Sequence, residues 1–293
     1  MNSNIHTFER LKELCAERNM RIYEIAQEYM SVSNDITIKE VREFTLKSLN
    51  AMKDAIKCGL ASNEPSYSGM CGNDCGKVQI AFDLHPPMFG GLFANIIKYA
   101  LATSEENVRM GRIVACPTAG SCGILPSVIV AVSEYKNYSE EEQINALITA
   151  GEIGRVISQK LSLAGAVAGC QAECGVASAM AAAAVCQLRG GTVPQVISAV
   201  ALALKNILGL TCDPVAGLVE VPCVKRNPFL AVHAITASEL ALADVKSVIP
   251  PDEVVDAMAQ IGSLMSPMLK ESSQAGLATT KTGLKIKKKL FNN

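Results

Sequence analysis

The segment from Leu163 to Cys186 reads LAGAVAGCQAECGVASAMAAAAVC and consists mainly of Ala, Gly, Val and Cys. It is long enough to span a bilayer, but it contains Gln171 and Glu173 and has almost no Leu, Ile or Phe. Small side chains let neighbouring helices approach one another closely. We therefore predict that this segment is buried inside a helical protein and does not cross a membrane.

The composition of the whole chain also favours an all-α fold. Of its 293 residues, 49% are hydrophobic but only 4% are aromatic, and there is no Trp. β-Sandwiches and barrels need aromatic and β-branched residues to fill their pleated faces, so helices packed through Ala and Gly fit better. Because no repeat or long polar linker divides the sequence, we predict a single helical domain over residues 1–293, with a frayed basic tail at 281–293.

Local signals predict where several elements begin. Ser139 with Glu142, and Thr192 with Gln195, each form a capping box before an apolar helical pattern. Amphipathic patterns near the N-terminus predict two or three further helices. The stretch 61–87 is rich in Gly and Pro, and we predict that it is an irregular surface segment.

Charge and cysteine content limit the class of protein. The chain has 27 Lys and Arg against 28 Asp and Glu, a net charge of -1, which argues against a nucleic-acid-binding surface. Its first twenty residues are rich in charge and lack the apolar core of a signal peptide. Its 11 cysteines are an odd number, so they cannot all pair within one chain. We predict a cytoplasmic protein with reduced thiols.

The segment Leu208–Asn227, LGLTCDPVAGLVEVPCVKRN, predicts a buried irregular loop. Pro214 and Pro222 prevent a regular helix, yet the segment is too apolar for an ordinary solvated loop. Its cysteines, Cys212 and Cys223, both lie close to a proline. Thiols placed on such irregular backbone are candidate metal ligands.

Cys170, in GAVAGCQAECG, is a third candidate ligand. Glycines let the backbone approach a bulky inorganic group, and three thiolates can hold an iron–sulfur cluster. Two alternatives stay open at this point. Buried cysteines are often simply small hydrophobic residues, and Cys170 and Cys174 could instead combine with Cys71 and Cys75 in a four-thiolate zinc site.

A second candidate site is the turn CPTAGSCG, from Cys116 to Gly123. A glycine-rich turn with hydroxyl groups before a helix start offers N–H donors and the positive end of the helix dipole to a carboxylate or phosphate. A plain capped helix start has the same pattern. The turn lacks the Lys of a P-loop and the spacing of a dinucleotide-binding loop. The candidate anion-binding residues are Thr118, Ala119, Gly120 and Ser121.

The sequence contains only three histidines, His6, His85 and His233. This excludes an HExxH metal motif, and no Ser-His-Asp arrangement or pyridoxal-lysine motif is evident. His85 precedes two prolines in a predicted loop and is the best candidate for a functional histidine. His233 lies in an apolar helical pattern and is predicted to be a hydrogen-bonded core residue.

Three segments together resemble the alpha chain of iron-sulfur-dependent L-serine dehydratase, also called L-serine ammonia-lyase, and the similarity covers nearly the whole chain. These segments are VACPTAGSCGILP (114–126), GCQAECGVASAMAAA (169–183) and Leu208–Asn227. The resemblance implies an all-helical catalytic chain with a [4Fe-4S] cluster on Cys170, Cys212 and Cys223, and no pyridoxal phosphate. Cys174 falls where the family usually has an aliphatic residue, which argues against the zinc pairing.

The resemblance also implies a reaction. With three thiolate ligands, one iron stays open to act as a Lewis acid on the hydroxyl of L-serine. A base removes the α-proton, and the enamine product hydrolyses to pyruvate and ammonia. The turn Thr118–Gly123 would bind the substrate carboxylate, helped by Arg226 and Asn227. No residue is assigned as the base. Relatives pair this chain with a smaller beta chain, so we expect a hetero-oligomer that is inactive without it.

Two other functions stay open at this point. A related lyase would take cysteine and release sulfide, as a cysteine desulfidase does, and the sequence does not distinguish a hydroxyl from a thiol leaving group. A non-catalytic helical subunit that carries a cluster would contain iron but catalyse no elimination with its partner present.

Overall fold

The computed structural model describes residues 5–291 and is all-α, as predicted. These residues form thirteen α-helices and no β-strand, with two isolated β-bridges in the loops. In chain order the helices are α1 (Phe8–Arg18), α2 (Ile22–Asn34), α3 (Ile38–Ala61), α4 (Asp74–Leu84), α5 (Gly90–Val108), α6 (Ile124–Lys136), α7 (Glu140–Ser158), α8 (Gly165–Ala168), α9 (Val176–Leu188), α10 (Val193–Lys205), α11 (Cys223–Leu242), α12 (Pro251–Leu264) and α13 (Lys281–Phe291).

Helix α9 lies at the centre of the fold. Every residue of α9 except Gln187 is buried, and the helix packs against α6, α7, α10 and α11. The close approach of α7 depends on a small residue, since a Cβ on Gly154 would lie 3.0 Å from Met180 Sδ. The prediction of a buried Ala-rich helix is confirmed. Within residues 5–291, no helix combines the length and the apolar character that a bilayer crossing requires.

The first part of the Ala-rich segment is not a continuous helix. The single turn α8 is followed by a π-helical turn, Gln171–Gly175, which leads into α9. Gly169 joins the two with a φ of 79°, a backbone conformation that favours glycine. Val167 is 53% exposed, so the first turn of the segment is only partly buried. π-Helical turns are frequent at functional sites, and this one carries candidate ligands.

The capping signals predicted two helix starts correctly, but the interpretation of 61–87 was only partly right. Ser139 caps α7 and Thr192 caps α10. Helix α4 lies within the stretch predicted to be irregular. The buried carboxylate of Glu105 accepts a hydrogen bond of 2.7 Å from the first N–H of α4, and an acidic group at a helix start is stabilising. The local sequence gives no sign of this distant partner.

The basic tail forms helix α13, whereas the sequence predicted fraying over 281–293. At its start, the N–H of Gly283 donates to Thr280 Oγ1 at 3.1 Å. The helix packs against two 3-10 turns, Val215–Gly217 and Gly276–Thr279. Tertiary contacts with the cysteine-bearing loop therefore order the tail. The last two residues of the chain lie outside the described residues.

Candidate metal and substrate site

Two of the predicted cysteine ligands lie together in the interior, next to a carboxylate. The Sγ atoms of Cys170 and Cys212 and an oxygen of Glu173 all lie within 4.8 Å of one another. Cys170 follows α8 and Cys212 lies in the predicted irregular loop, so distant segments build the group. Cys223 is buried at the first position of α11. Burial, followed by the charge of the nearby Cys170, raises the pKa of Cys223.

The thiols influence one another electrostatically. Hydrogen bonds from Cys174 and Cys212, with a smaller effect of the Arg226 guanidinium, lower the pKa of Cys170. The two Sγ atoms of Cys170 and Cys174 are 3.6 Å apart. The hydrogen bond to Cys170 and then burial raise the pKa of Cys212. This arrangement favours a thiolate at Cys170, and the thiolate is the form that binds metal.

The chemistry of the donor set fits a thiolate-bound iron–sulfur cluster. Soft thiolate donors suit iron–sulfur clusters, and here they come from three buried positions. Gly165 presents backbone without a side chain to two of these groups, because a Cβ there would lie 3.1 Å from Cys212 Sγ and 3.0 Å from Glu173 Oε2. A bulky inorganic group needs such a side-chain-free wall.

A partly buried ion pair holds the loop that carries Cys212. Arg226 donates from Nη2 to Asp213 Oδ1 at 3.2 Å and from Nη1 to the carbonyl oxygen of Thr211 at 2.8 Å. Asp213 Oδ2 also accepts a 2.8 Å hydrogen bond from the N–H of Leu277. The guanidinium that the sequence suggested for substrate binding thus positions the cysteine loop in this structure.

Gln171 orients the π-helical turn next to Cys170. Its fully buried side chain donates to the carbonyl oxygens of Ala168 at 3.0 Å and Met258 at 3.1 Å. Its Oε1 accepts a 2.9 Å hydrogen bond from the N–H of Gly209. One side chain therefore connects α8, α12 and the start of the cysteine loop.

The candidate anion-binding turn contacts Glu173, the carboxylate that lies beside the thiols. It is a 3-10 turn, Ala119–Ser121, that leads into α6. The hydroxyl oxygens of Thr118 and Ser121 are 3.1 Å apart, and the Thr118 hydroxyl donates to Oε1 of Glu173. A Cβ on Gly120 would lie 2.9 Å from that same oxygen. The turn and the cysteines therefore share one neighbour, Glu173.

Asn227 holds this turn in place. Its fully buried Nδ2 donates to the carbonyl oxygens of Gly120 and Cys223, both at 2.9 Å. Its Oδ1 accepts a 2.9 Å hydrogen bond from the N–H of Gly123. The sequence suggested a helper in substrate binding. In this structure both amide protons are donated to backbone carbonyl oxygens, and these hydrogen bonds connect the turn to α11.

Glu173 is the residue that sequence reasoning left without a functional role. Its Oε2 lies 3.9 Å from Cys170 Sγ, while Oε1 faces the Thr118 turn. Burial raises the pKa of Glu173 to about 7, against the lowering effect of the Thr118 hydrogen bond. Across residues 5–291, no Lys or Arg nitrogen comes within 4.0 Å of this carboxylate. The available signal was a single acidic residue in an otherwise uncharged stretch.

The structure does not support the zinc hypothesis. Cys71 and Cys75 pack in a small separate apolar cluster, and the Cys71 thiol lies 3.7 Å from Lys225 Nζ. Cys170 and Cys174 belong to the main core. In the described part of the chain the four thiols do not converge.

None of the three imidazoles contacts the thiols or the turn within residues 5–291. His85 is exposed at the end of α4. His6 hydrogen-bonds to Gln159 at 3.1 Å. His233 Nδ1 lies 2.9 Å from Ser178 Oγ on α9, a hydrogen bond that agrees with the predicted core role. The positions of the three histidines within residues 5–291 therefore offer no base to this site.

Comparisons of the sequence with known proteins all indicate one family. The family model for the serine dehydratase alpha chain matches residues 17–278. The chain is 44% identical over 286 residues to the probable L-serine dehydratase, alpha chain, of Bacillus subtilis, covering 94% of this chain and 95% of that protein. It is 38% identical over 284 residues to the L-serine dehydratase, alpha chain, of Peptoniphilus asaccharolyticus, covering 97% of each. For the L-serine dehydratase of Helicobacter pylori the identity is 36% over 283 residues, covering 93% of this chain and 61% of that longer protein.

Proposed function

The chain belongs to the serine dehydratase alpha chain family, and from this premise we propose that it is the catalytic chain of an L-serine ammonia-lyase. The reaction converts L-serine to pyruvate and ammonia. The α-proton leaves Cα to a base, and the C3–O bond breaks to release water. The aminoacrylate product then tautomerises to an imine, which takes up water to give pyruvate and ammonia.

The observation that carries this proposal is the shared site of thiols and turn. Cys170, Cys212 and Cys223 are the proposed ligands of a [4Fe-4S] cluster; the first two lie together beside Glu173, and the side-chain-free Gly165 borders Cys212. When bound, such a cluster supplies a Lewis-acidic iron that makes the substrate hydroxyl a better leaving group. The buried setting excludes water from the thiolates and strengthens electrostatic interactions there.

The Thr118–Gly123 turn is the proposed site for the substrate carboxylate. The first N–H groups of a helical turn have no acceptor within the turn, and the turn feeds the N-terminal end of α6. A carboxylate is stabilised at such a position by hydrogen bonds and by the helix dipole. Asn227 and Arg226 act indirectly, by fixing the turn and the cysteine loop relative to each other.

The base that removes the α-proton is proposed to come from a beta chain. The three histidines of this chain make their contacts elsewhere. The relatives in Bacillus subtilis and Peptoniphilus asaccharolyticus are named as alpha chains, which supports a partner polypeptide. We therefore expect a hetero-oligomer that contains the iron–sulfur cluster and needs no pyridoxal phosphate.

The test is anaerobic reconstitution of the chain with iron and sulfide, followed by a pyruvate assay with L-serine. We expect iron and sulfide to bind, and we expect pyruvate to form only when the co-encoded beta chain is added. L-Cysteine in a parallel assay for sulfide distinguishes the related lyase. An intact cluster without any elimination in the complex would support the carrier role instead.

Two controls define failure of the proposal. Turnover that persists after iron removal, or that carbonyl reagents abolish, would point to another cofactor. Full turnover by the isolated chain would show that the base lies in this polypeptide and would overturn the role of the beta chain. The variant His85→Ala would then test the exposed histidine.

A further inference from the structure

We infer that Glu173 forms the subsite for the α-ammonium group of the substrate, which makes the site specific for α-amino acids over the corresponding hydroxy acids. This inference rests on the proposed function, because it uses the turn as the carboxylate site and the thiols as the cluster site. It adds a recognition contact that the family membership and the cysteine geometry do not themselves assign.

The position of the carboxylate between two other subsites carries the inference. Oε1 of Glu173 accepts the Thr118 hydroxyl, and Oε2 lies 3.9 Å from Cys170 Sγ. In serine the ammonium and carboxylate share one carbon, and the hydroxyl is on the next carbon. A ligand that places its carboxylate on the turn and its hydroxyl beside the thiols brings its Cα, which carries the ammonium group, next to the carboxylate that lies between these two subsites.

The carboxylate of Glu173 forms no ion pair within the described residues, and Arg226 acts on it only from a longer distance. Glu173 is partly buried, and within the described residues no Lys or Arg nitrogen lies within 4.0 Å of it. A carboxylate in such a place lacks much of its hydration, so a cation that brings its own hydrogen-bond donors is a favourable partner. The substrate ammonium, with three N–H donors, meets this requirement.

The other nearby acidic groups are less suited to this role. Asp213 is committed to Arg226 and to the N–H of Leu277. Glu271 touches the cysteine loop through its backbone, with its N–H 2.7 Å from the Cys212 carbonyl oxygen. In the described chain its side chain makes no hydrogen bond to the turn or to the thiols. Glu271→Gln is therefore the matched control for Glu173→Gln.

The experiment uses the reconstituted complex of both chains and compares the parent with Glu173→Gln and Glu271→Gln. Iron and sulfide analysis first checks that the cluster is intact. For Glu173→Gln we expect KM for L-serine to rise about tenfold or more, since removing one partner of a desolvated charge pair is costly. Glu271→Gln should leave KM close to that of the parent.

A binding measurement without turnover separates this inference from the proposed function. L-Alanine and L-lactate differ only in the group at Cα, ammonium or hydroxyl, and neither has a leaving group. In the parent, L-alanine should raise the thermal unfolding midpoint more than L-lactate. In Glu173→Gln this preference should disappear. If the parent shows the preference but converts no serine, the proposed function fails while the ammonium subsite stands.

Four results would overturn the inference. Loss of iron from Glu173→Gln would make the residue a support of the cluster. Equal weakening of L-alanine and L-lactate would mean that Glu173 only holds the turn through Thr118. A fall in kcat at unchanged KM would indicate a role in proton transfer. Unchanged kinetics and binding would show that the carboxylate does not contact the ligand.

Discussion

The side-chain amide of Asn227 donates a 2.9 Å hydrogen bond to the carbonyl oxygen of Gly120. These residues are 107 positions apart in the chain. The contact connects the candidate carboxylate-binding turn to α11, the helix that begins with Cys223. The proposed metal and substrate subsites are thereby held at a fixed separation by a buried amide.

Replacing Asn227 with Ala should destabilise the fold. It would leave three buried backbone groups without their partner, and unsatisfied buried groups cost about 1–3 kcal/mol each before relaxation. We expect a loss of about 3 kcal/mol in the free energy of unfolding, measured by urea denaturation. Asn50→Ala, at an exposed position on α3, should change it by less than about 0.5 kcal/mol. Equal stabilities of the two variants would contradict the bridging role.

Cysteine variants should separate ligands from core residues. Ala has no metal-binding atom, whereas a core Cys replaced by Ala loses only limited packing. Iron and acid-labile sulfide per chain, measured after anaerobic reconstitution, should fall to background in Cys170→Ala, Cys212→Ala and Cys223→Ala. They should stay near the parent level in Cys174→Ala and in the buried control Cys186→Ala. Normal iron content in any of the first three would overturn the ligand assignment.

A methyl group at Gly165 should impair cluster binding. Its Cβ would lie 3.1 Å from Cys212 Sγ, so the thiol would have to move away from its place. We expect Gly165→Ala to bind less iron than the parent. Gly151 on α7 is exposed with open space around it, and Gly151→Ala should keep full iron content and gain about 0.5–1 kcal/mol from helix propensity. Full iron content in Gly165→Ala would contradict the inference that Gly165 borders the cluster site.

His233 should make stability depend on pH. Burial lowers the pKa of His233 from its ordinary value of about 6.5. The unfolded chain therefore binds a proton at higher pH than the folded chain does, so stability falls as pH drops from about 6.5 toward the lowered folded value. The check is the free energy of unfolding at several pH values across this window. His233→Gln should flatten the curve, and the exposed control His85→Gln should keep the parental slope. A parental slope in His233→Gln would assign the effect to other groups.

Much of the fold follows from local sequence patterns. The run Ala181–Ala184 has no large or polar side chain, so neighbouring helices can pack closely against it, and α9 is indeed central. The capping boxes at Ser139 and Thr192 use atoms within three residues of each other, so they can be recognised without the fold. The chemistry of the thiols likewise follows from residue type alone.

Only the tertiary structure decided how these pieces meet. The hydrogen bond from the start of α4 to Glu105 and the packing of α13 against the Val215–Gly217 turn are contacts between distant segments, and both give a structure that differs from the local prediction. The positioning roles of Asn227 and Arg226 depend on which carbonyl and carboxylate groups folding brings beside them.

Glu173 shows the same division between sequence and structure. The sequence marks it as an isolated acid in an apolar stretch, but its place between the Thr118 hydroxyl and the Cys170 thiol arises only when two separate segments pack together. Sequence patterns reveal interactions between residues that are about three or four positions apart, because helix geometry brings such residues onto the same face. A site assembled from residues more than fifty positions apart depends on packing, and that information lies in the tertiary structure.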